Sequence, residues 1–226
     1  MLEIFSKGMN FLFGKAFHKK NIFIGSSLGY LDRERKIDRN YFDYIRLSTL
    51  ELVSYEINRK NLEGSVAELG VYKGKFARYI NQYFPKRSLY LFDTFEGFDN
   101  RDIVAEKENK FSTGDQDFSD TSVESVLKSM PYPEKCIPSK GFFPESAKNI
   151  DAAFVFVSID ADLYEPIYNG LVFFYPKLVT GGYIFIHDFN NDNYKGSRKA
   201  VEQFCLEQKI SCLPLPDFGG SAIIIK

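Results

Sequence analysis

The sequence is poor in cysteine and has neither a large excess of one charge nor a long apolar run. Its three cysteines, Cys136, Cys205 and Cys212, are odd in number and show no CxxC spacing. They exclude a disulfide framework or a zinc knuckle and favour a reducing, cytoplasmic location. The formal net charge of -1 argues against broad non-specific binding to nucleic acid. No apolar run reaches the roughly 18 residues of a membrane-spanning helix.

The length of 226 residues predicts one domain with an extension. Residues 1–37 form an arm that is apolar, aromatic and basic, and residues 38–226 form the main domain. An arm lying on a membrane could contact anionic lipid through four of its lysines, Lys7, Lys15, Lys19 and Lys20. Because aromatic clusters are usually buried, the arm could instead pack on the main domain or on a second subunit, which makes a homo-oligomer the alternative.

Short β-rich runs alternate with helical stretches through the main domain. The strand candidates are VAEL, SLYLF, KCIP, AFVFVSI, YIFIHD, ISCLPL and SAIIIK. The helix candidates are Asp38–Asn58, Lys75–Tyr83, Ser122–Ser129, Ile167–Leu178 and Ser197–Lys209. This alternation predicts βαβ units and a mainly parallel sheet. The last two strands are joined by a Pro/Asp/Gly link without a helix, which predicts a hairpin and an antiparallel strand at the end.

Two connections carry predictions of their own. Gly181 and Gly182 follow the fourth helix candidate, and we expect them to terminate it. Residues 99–121 are rich in both acids and bases, and we expect a loop that could close over a ligand as a lid.

Acidic residues fall where four of the predicted strands end. They are Glu68, Asp93, Asp160 and Asp188. In an open α/β sheet, ligands bind outside the carboxyl ends of the strands. Ionised carboxylates in such a crevice are costly unless they are hydrogen-bonded or bound to a cation. Four of them at neighbouring strand ends predict a polar ligand, a metal ion, or both.

The turn after the first strand, Glu68 to Gly74, restricts the type of ligand. Gly70 allows a sharp turn, and Gly74 allows the next helix to pack close to the strand. A dinucleotide fingerprint needs a third glycine where this chain has Tyr72, and there is no GxxxxGK[ST] motif. The pattern therefore favours a nucleoside ligand without phosphates, S-adenosylmethionine above all, with Asp93 accepting the ribose hydroxyls.

Further blocks make the chain recognisable between about Asp38 and Phe204. They read VAELGVYKGKFA, LYLFDTFEGF, KGFFPESA, SIDADLYEPIYNGLVFFYPKLVTGGYIFIHDF and GSRKAVEQF. In combination they resemble the macrocin O-methyltransferase family. The resemblance implies a class I methyltransferase fold, an α/β fold whose seven-stranded, mainly parallel sheet ends in an antiparallel strand and carries helices on both faces. It also implies S-adenosylmethionine-dependent methylation of a hydroxyl on a sugar, a glycosylated small molecule or a glycan.

The resemblance further implies which residues hold the cofactor. The methionine end would lie against Glu68, Gly70, Val71, Tyr72 and Gly74, and the ribose against Asp93 and Thr94. The adenine would lie near Ser119, Gly141 and Phe142.

Family members bind Mg²⁺ through an acid after the fourth strand and an adjacent pair of acids after the fifth. The implied ligands here are Asp160, His187 and Asp188, and the chain departs from the pattern at His187, because imidazole is a poor substitute for carboxylate on Mg²⁺. Asp160 and Asp188 could hold Mg²⁺ with extra waters, or the site could prefer Mn²⁺. Without a metal, His187 could act as the general base or have no chemical role. The resemblance thus gives Asp160, His187 and Asp162 as the catalytic candidates, with Asp162 as a base or a supporting residue.

Other functions compete with this interpretation. The acceptor could be a catechol or a lipid-linked molecule. The chain could also be a non-catalytic protein that binds a cofactor or a sugar on a methyltransferase scaffold. A nicotinamide oxidoreductase is disfavoured by Tyr72.

Overall fold

The computed structural model describes residues 2–20 and 43–226. The chain divides into two compact units, residues 1–37 and 38–226. The first unit contains helix α1 (Leu2–His18). The predicted boundary between arm and main domain lies outside the described residues. None of the helices described is long and apolar enough to cross a membrane.

The second unit is built on a seven-stranded sheet. Its strands are β1 (Ser65–Leu69), β2 (Leu89–Asp93), β3 (Cys136–Lys140), β4 (Phe154–Ile159), β5 (Leu178–Ile186), β6 (Leu213–Pro214) and β7 (Ala222–Ile225). They lie in the order β3-β2-β1-β4-β5-β7-β6. Strands β1 to β5 pair in parallel, and β7 runs antiparallel to both β5 and β6. The predicted sheet and its terminal hairpin are confirmed.

Helices cover both faces of this sheet. They are α2 (Tyr44–Arg59), α3 (Lys75–Tyr83), α4 (Asn100–Glu108), α5 (Val123–Ser129), α6 (Tyr164–Lys177) and α7 (Lys195–Gln208). Every residue of β4 is buried. Phe156 stacks on Phe84, which follows α3, whereas its neighbour Val157 joins the core that includes Phe174 of α6. Because neighbouring residues of a strand point to opposite faces, this central strand is covered on both sides.

Three local predictions are corrected. Residues 99–121 are not simply a loop, because Asp99 accepts a hydrogen bond from the amide of Arg101 and caps α4. Helix α6 begins at Tyr164, earlier than predicted, because Glu106 of α4 accepts a hydrogen bond from the Tyr164 amide at 3.0 Å. Gly181 and Gly182 do not terminate α6. They lie inside β5, where the Gly181 amide donates to the carbonyl of Lys226 at 2.7 Å.

Candidate active site

A cavity of about 540 Å³ opens at the carboxyl ends of β1, β2, β4 and β5. A volume of this size is typical of a small-molecule site. Twelve of the residues expected at the site line it: Glu68, Gly70, Val71, Tyr72, Asp93, Thr94, Gly141, Phe142, Asp160, Asp162, His187 and Asp188. Two do not line it. Gly74 caps the start of α3, and Ser119 lies beside Phe118, which is itself part of the cavity wall.

The turn after β1 needs glycine for a steric reason. Gly70 has a φ of +83°, and a Cβ built on it would lie 2.0 Å from the carbonyl oxygen of Asp160. Any other residue would force the β1 and β4 turns apart. Gly74 has a φ of +71°, and a Cβ there would lie 2.9 Å from the methyl group of Met130. Gly70 thus makes the predicted sharp turn, whereas Gly74 allows close packing against Met130, which follows α5, and not against the strand as predicted.

Asp93 organises the same turn. Its Oδ2 accepts hydrogen bonds from the amides of Val71 at 2.7 Å and Tyr72 at 2.8 Å. Its Oδ1 accepts one from the amide of Phe95 at 2.6 Å. The acid expected to hold a ribose thus also fixes the backbone that would surround the cofactor.

Non-glycine residues with left-handed backbone conformations gather in the cavity wall. Tyr72, Asp162 and Asp188 have φ values of +48°, +58° and +58°. Such conformations are uncommon outside glycine and are often found at functional sites. They turn the chain sharply at the ends of β1, β4 and β5, where the cavity opens.

Glu68 is a buried acid that faces the cavity without full hydrogen bonding. Its Oε2 has no hydrogen-bond partner among the described residues. Burial raises the pKa of Glu68 well above its ordinary value, and the nearby charge of Asp160 raises it further. A cationic ligand group beside Glu68 would stabilise its ionised form and so lower the pKa again. S-adenosylmethionine carries an ammonium and a sulfonium, so this acid fits the cofactor that the resemblance implies.

Where β4 and β5 end, the cavity wall holds a cluster of Asp160, His187 and Asp188. The Nδ1 of His187 lies 3.1 Å from Asp160 Oδ1 and 2.6 Å from Asp188 Oδ2. The other oxygen of Asp160 accepts a hydrogen bond from Nη1 of Arg46 at 3.0 Å. The other oxygen of Asp188 accepts one from Nδ2 of Asn191 at 2.6 Å.

These contacts set the charge state of the cluster. Burial alone would lower the pKa of His187, but the Asp160 carboxylate and hydrogen bonds to Asp160 and Asp188 outweigh it and raise the pKa to about 10. Burial also acts to raise the pKa of Asp160, but His187 and Arg46 hold it below its ordinary value. His187 is therefore a cation at neutral pH in this arrangement. A protonated imidazole carries hydrogen on both ring nitrogens, so it cannot act as a general base.

The predicted metal ligands do come together, since their ligand atoms lie within 4.8 Å of one another. However, each of the four carboxylate oxygens already lies within hydrogen-bond distance of a nitrogen, and Arg46 together with the raised pKa of His187 places two positive charges beside the two acids. Magnesium is held by one or two carboxylates with water completing its octahedral shell, so here the ion would have to lie beside these two cations. As arranged here, the three residues do not fit Mg²⁺.

Arg46 is a site residue that the sequence analysis missed. It lies on α2, is 4% exposed, and packs its guanidinium over the ring of Phe76 at 3.9 Å. Its Nη2 also donates to Ser158 Oγ at 3.3 Å. The partners of Arg46 are more than 100 residues away along the chain, and no local motif marks an arginine for such a contact.

The loop between β6 and β7 was also missed. Asp43, the N-cap of α2, accepts hydrogen bonds from the amides of Phe218 at 3.0 Å and Gly219 at 3.3 Å. A Cβ on Gly219 would lie 1.8 Å from Nε2 of His187, so the loop packs directly on the imidazole. The sequence analysis treated this loop only as a hairpin link, although it forms part of the cavity wall.

Asp162 completes the polar part of the cavity. Its backbone carbonyl accepts a hydrogen bond from Ser197 Oγ at 2.8 Å, which links the turn to α7. Burial raises the pKa of its carboxyl group well above the ordinary value, and the charges of Asp160 and Asp188 add to this. A carboxyl group of raised pKa is a stronger base than an ordinary one once it is ionised.

The model of the macrocin-O-methyltransferase (TylF) family matches residues 39–221. No curated protein matches the chain at a significant level.

Solved structures show the same fold at low sequence identity. The O-methyltransferase NovP has a TM-score of 0.64 and 18% identity, over 80% of this chain and 79% of its own. The calicheamicin methyltransferase CalS11 also has a TM-score of 0.64 and 18% identity, over 80% and 78%. TomG from Streptomyces achromogenes, an O-methyltransferase solved in complex with SAM, has a TM-score of 0.52 and 10% identity, over 79% of each chain.

Proposed function

We propose a sugar hydroxyl as the methyl acceptor of this chain, which belongs to the macrocin-O-methyltransferase family and is an S-adenosylmethionine-dependent O-methyltransferase. CalS11, whose fold the chain shares, is described as a TDP-rhamnose 3'-O-methyltransferase. The acceptor class proposed here is a free sugar, a glycosylated small molecule or a glycan.

The observation that carries this proposal is the polar half of the cavity. Asp160, Asp162 and Asp188 line the same cavity as the turn at Gly70, and the Gly70 turn touches the backbone of Asp160. Carboxylates are the hydrogen-bond acceptors that a ligand with several hydroxyl groups requires. An acceptor bound there would lie beside the methyl donor, and such proximity accelerates a transfer reaction.

Each residue then has a part in the reaction. When bound, S-adenosylmethionine supplies the electrophilic methyl group. Glu68 binds the positively charged end of the cofactor, and Asp93 holds the turn that surrounds it. Asp162 accepts the proton of the acceptor hydroxyl. Arg46 and His187 keep Asp160 ionised and in place, so that it can hold a neighbouring hydroxyl of the acceptor by a hydrogen bond.

Magnesium assistance, as the resemblance implies it, has no part in this mechanism. The two acids that would bind the ion already lie beside the cations Arg46 and His187, which repel Mg²⁺ but not a neutral hydroxyl. The two protein cations supply positive charge next to Asp160 instead.

A panel of acceptors with a matched pair of variants tests the proposal. Formation of S-adenosylhomocysteine would be measured with nucleotide sugars, simple glycosides and catechol. We expect turnover with a sugar acceptor, and Asp162→Asn should lower kcat by about 100-fold or more, because general-base catalysis contributes about 10²–10⁴-fold. The affinity for S-adenosylhomocysteine should stay unchanged in that variant.

Asp151→Asn is the control, since Asp151 is a fully exposed acid outside the cavity wall. It should keep wild-type kcat. Turnover of catechol with no sugar acceptor would overturn the acceptor class. Undiminished kcat in Asp162→Asn would overturn the role of Asp162 while leaving the acceptor class intact.

A further inference from the structure

Helix α1 exposes a row of large apolar side chains. Ile4, Phe5, Phe11 and Leu12 are 76%, 62%, 90% and 70% exposed. Residues 4, 8, 11, 12 and 15 follow helical spacing and share one face, with residue 5 at its margin. Single exposed apolar residues are common on protein surfaces, but a contiguous apolar face marks an interaction site.

The opposite side of α1 is less exposed. Gly14 is buried, and Asn10 and Phe17 are partly buried. Phe13 and Phe17 contact each other through their rings, whose centroids are 5.7 Å apart. The two sides therefore differ in degree: the four residues of the apolar row are 62–90% exposed, whereas Phe13, on the opposite side, is 47% exposed.

The charge of this segment is mostly positive. Residues 2–20 contain four lysines, Lys7, Lys15, Lys19 and Lys20, and one acid, Glu3. Lys15, Lys19 and Lys20 are exposed, and Lys15 lies one turn beyond Phe11 on the same face. Lysine can lay its apolar stem along a surface and reach out with its ammonium group. The apolar face is thus bordered by positive charge at its C-terminal end.

We propose that α1 binds the surface of an anionic lipid membrane. The helix lies in the plane of the interface, with Ile4, Phe5, Phe11 and Leu12 inserted among the acyl chains and Lys15, Lys19 and Lys20 on the lipid phosphates. Amphipathic helices of this composition bind by buried apolar area together with attraction to anionic lipid. A second copy of α1 fits the same face less well, because it would bring its own four lysines against these. The proposal is independent of the methyl acceptor.

Co-sedimentation of the full-length protein with lipid vesicles tests it. One set of vesicles would be phosphatidylcholine alone, and the other equal parts phosphatidylcholine and phosphatidylglycerol. We expect binding to the anionic vesicles only. Phe11→Glu combined with Leu12→Glu should abolish the binding. Each of Lys15→Gln and Lys19→Gln should weaken it by about fivefold, since a lysine near an anionic surface contributes about 1 kcal/mol.

Leu206→Glu is the matched control, because Leu206 is 81% exposed on α7. It should bind vesicles like the wild type, and all variants should keep the wild-type affinity for S-adenosylhomocysteine. Three results would overturn the proposal: wild-type protein that stays in the supernatant, equal binding to both kinds of vesicle, or equal loss of binding in Leu206→Glu. A dimer in sedimentation velocity that Phe11→Glu with Leu12→Glu dissolves, without vesicle binding, would assign the face to a second copy instead.

Discussion

Replacing Arg46 by methionine should destabilise the protein far more than the same change elsewhere on α2. The substitution keeps an unbranched side chain of good helix propensity but removes the cation that binds Asp160 at 3.0 Å. Breaking a buried ion pair by removing one partner costs about 3–5 kcal/mol. Asp160 is 24% exposed and keeps its contact with His187, so we expect a smaller loss of about 2–3 kcal/mol. In a domain of this size, that corresponds to a fall in Tm of roughly 4–12 °C.

Arg59→Met is the control on the same helix. Arg59 is 57% exposed and pairs with Glu56, which is 36% exposed, so its loss should leave stability nearly unchanged, because surface ion pairs are weak. Both variants would be compared by thermal and urea unfolding at pH 7. Combining Arg46→Met with Asp160→Asn should recover part of the loss, because the unpaired carboxylate is then removed. Equal destabilisation by Arg46→Met and Arg59→Met would refute the argument that Arg46 stabilises the cluster through its charge.

Three further predictions concern the cavity. Glu68→Gln should raise Tm, because it removes a buried acid with an unpartnered oxygen. The same change should weaken the binding of S-adenosylmethionine in calorimetry. A lower Tm with unchanged affinity would contradict the role assigned to Glu68. Burial, together with Asp99 and Glu165, raises the pKa of Asp102 to about 7, so the folded state holds this proton more tightly than the unfolded state, whose pKa is near 3.8. Stability should then fall as pH rises from about 4 to 7, and the Tm of Asp102→Asn should fall less than that of the wild type over this range. An Asp102→Asn profile equal to the wild-type profile would argue against the raised pKa. His187→Asp replaces the imidazole of the cluster by a carboxylate, which is a better ligand for Mg²⁺. We therefore expect calorimetry to show a heat of Mg²⁺ binding that the wild type lacks. Equal Mg²⁺ binding by both proteins would show that the wild-type cluster accepts the ion.

The sheet could be predicted from the sequence because its signals are local. Continuous apolar runs such as AFVFVSI mark buried parallel strands, and the acids that follow them must meet at one sheet edge. The acids Glu68, Asp93, Asp160 and Asp188 were found in this way, and most of the other cavity residues followed from the family resemblance. Helix α4, which follows the capping residue Asp99, was not predicted, because its many charged residues give it no apolar face of helical spacing.

Other features depend on contacts between distant parts of the chain. Arg46 meets Asp160 across 114 positions, and Asp43 meets Gly219 across 176. Neither pair leaves a periodic or spaced pattern in one sequence. The charge of His187 was missed for the same reason. Its two acids could be placed nearby, but their distances, which raise the pKa to about 10, come only from the folded backbone.

The contact between the Gly70 turn and the backbone of Asp160 has a consequence for how this enzyme can change its acceptor. The two turns touch through main-chain atoms, at a point with no room for even a methyl group. In the mechanism proposed above, the sheet therefore fixes the distance between the turn that surrounds the cofactor and the backbone of the acid that holds the acceptor. Acceptors of different size must be accommodated by the parts of the wall that are not bound in this way. The side chain of Phe218, which is 79% exposed, and the N-terminal end of α4 are such parts, and variation in acceptor range among close relatives should concentrate there.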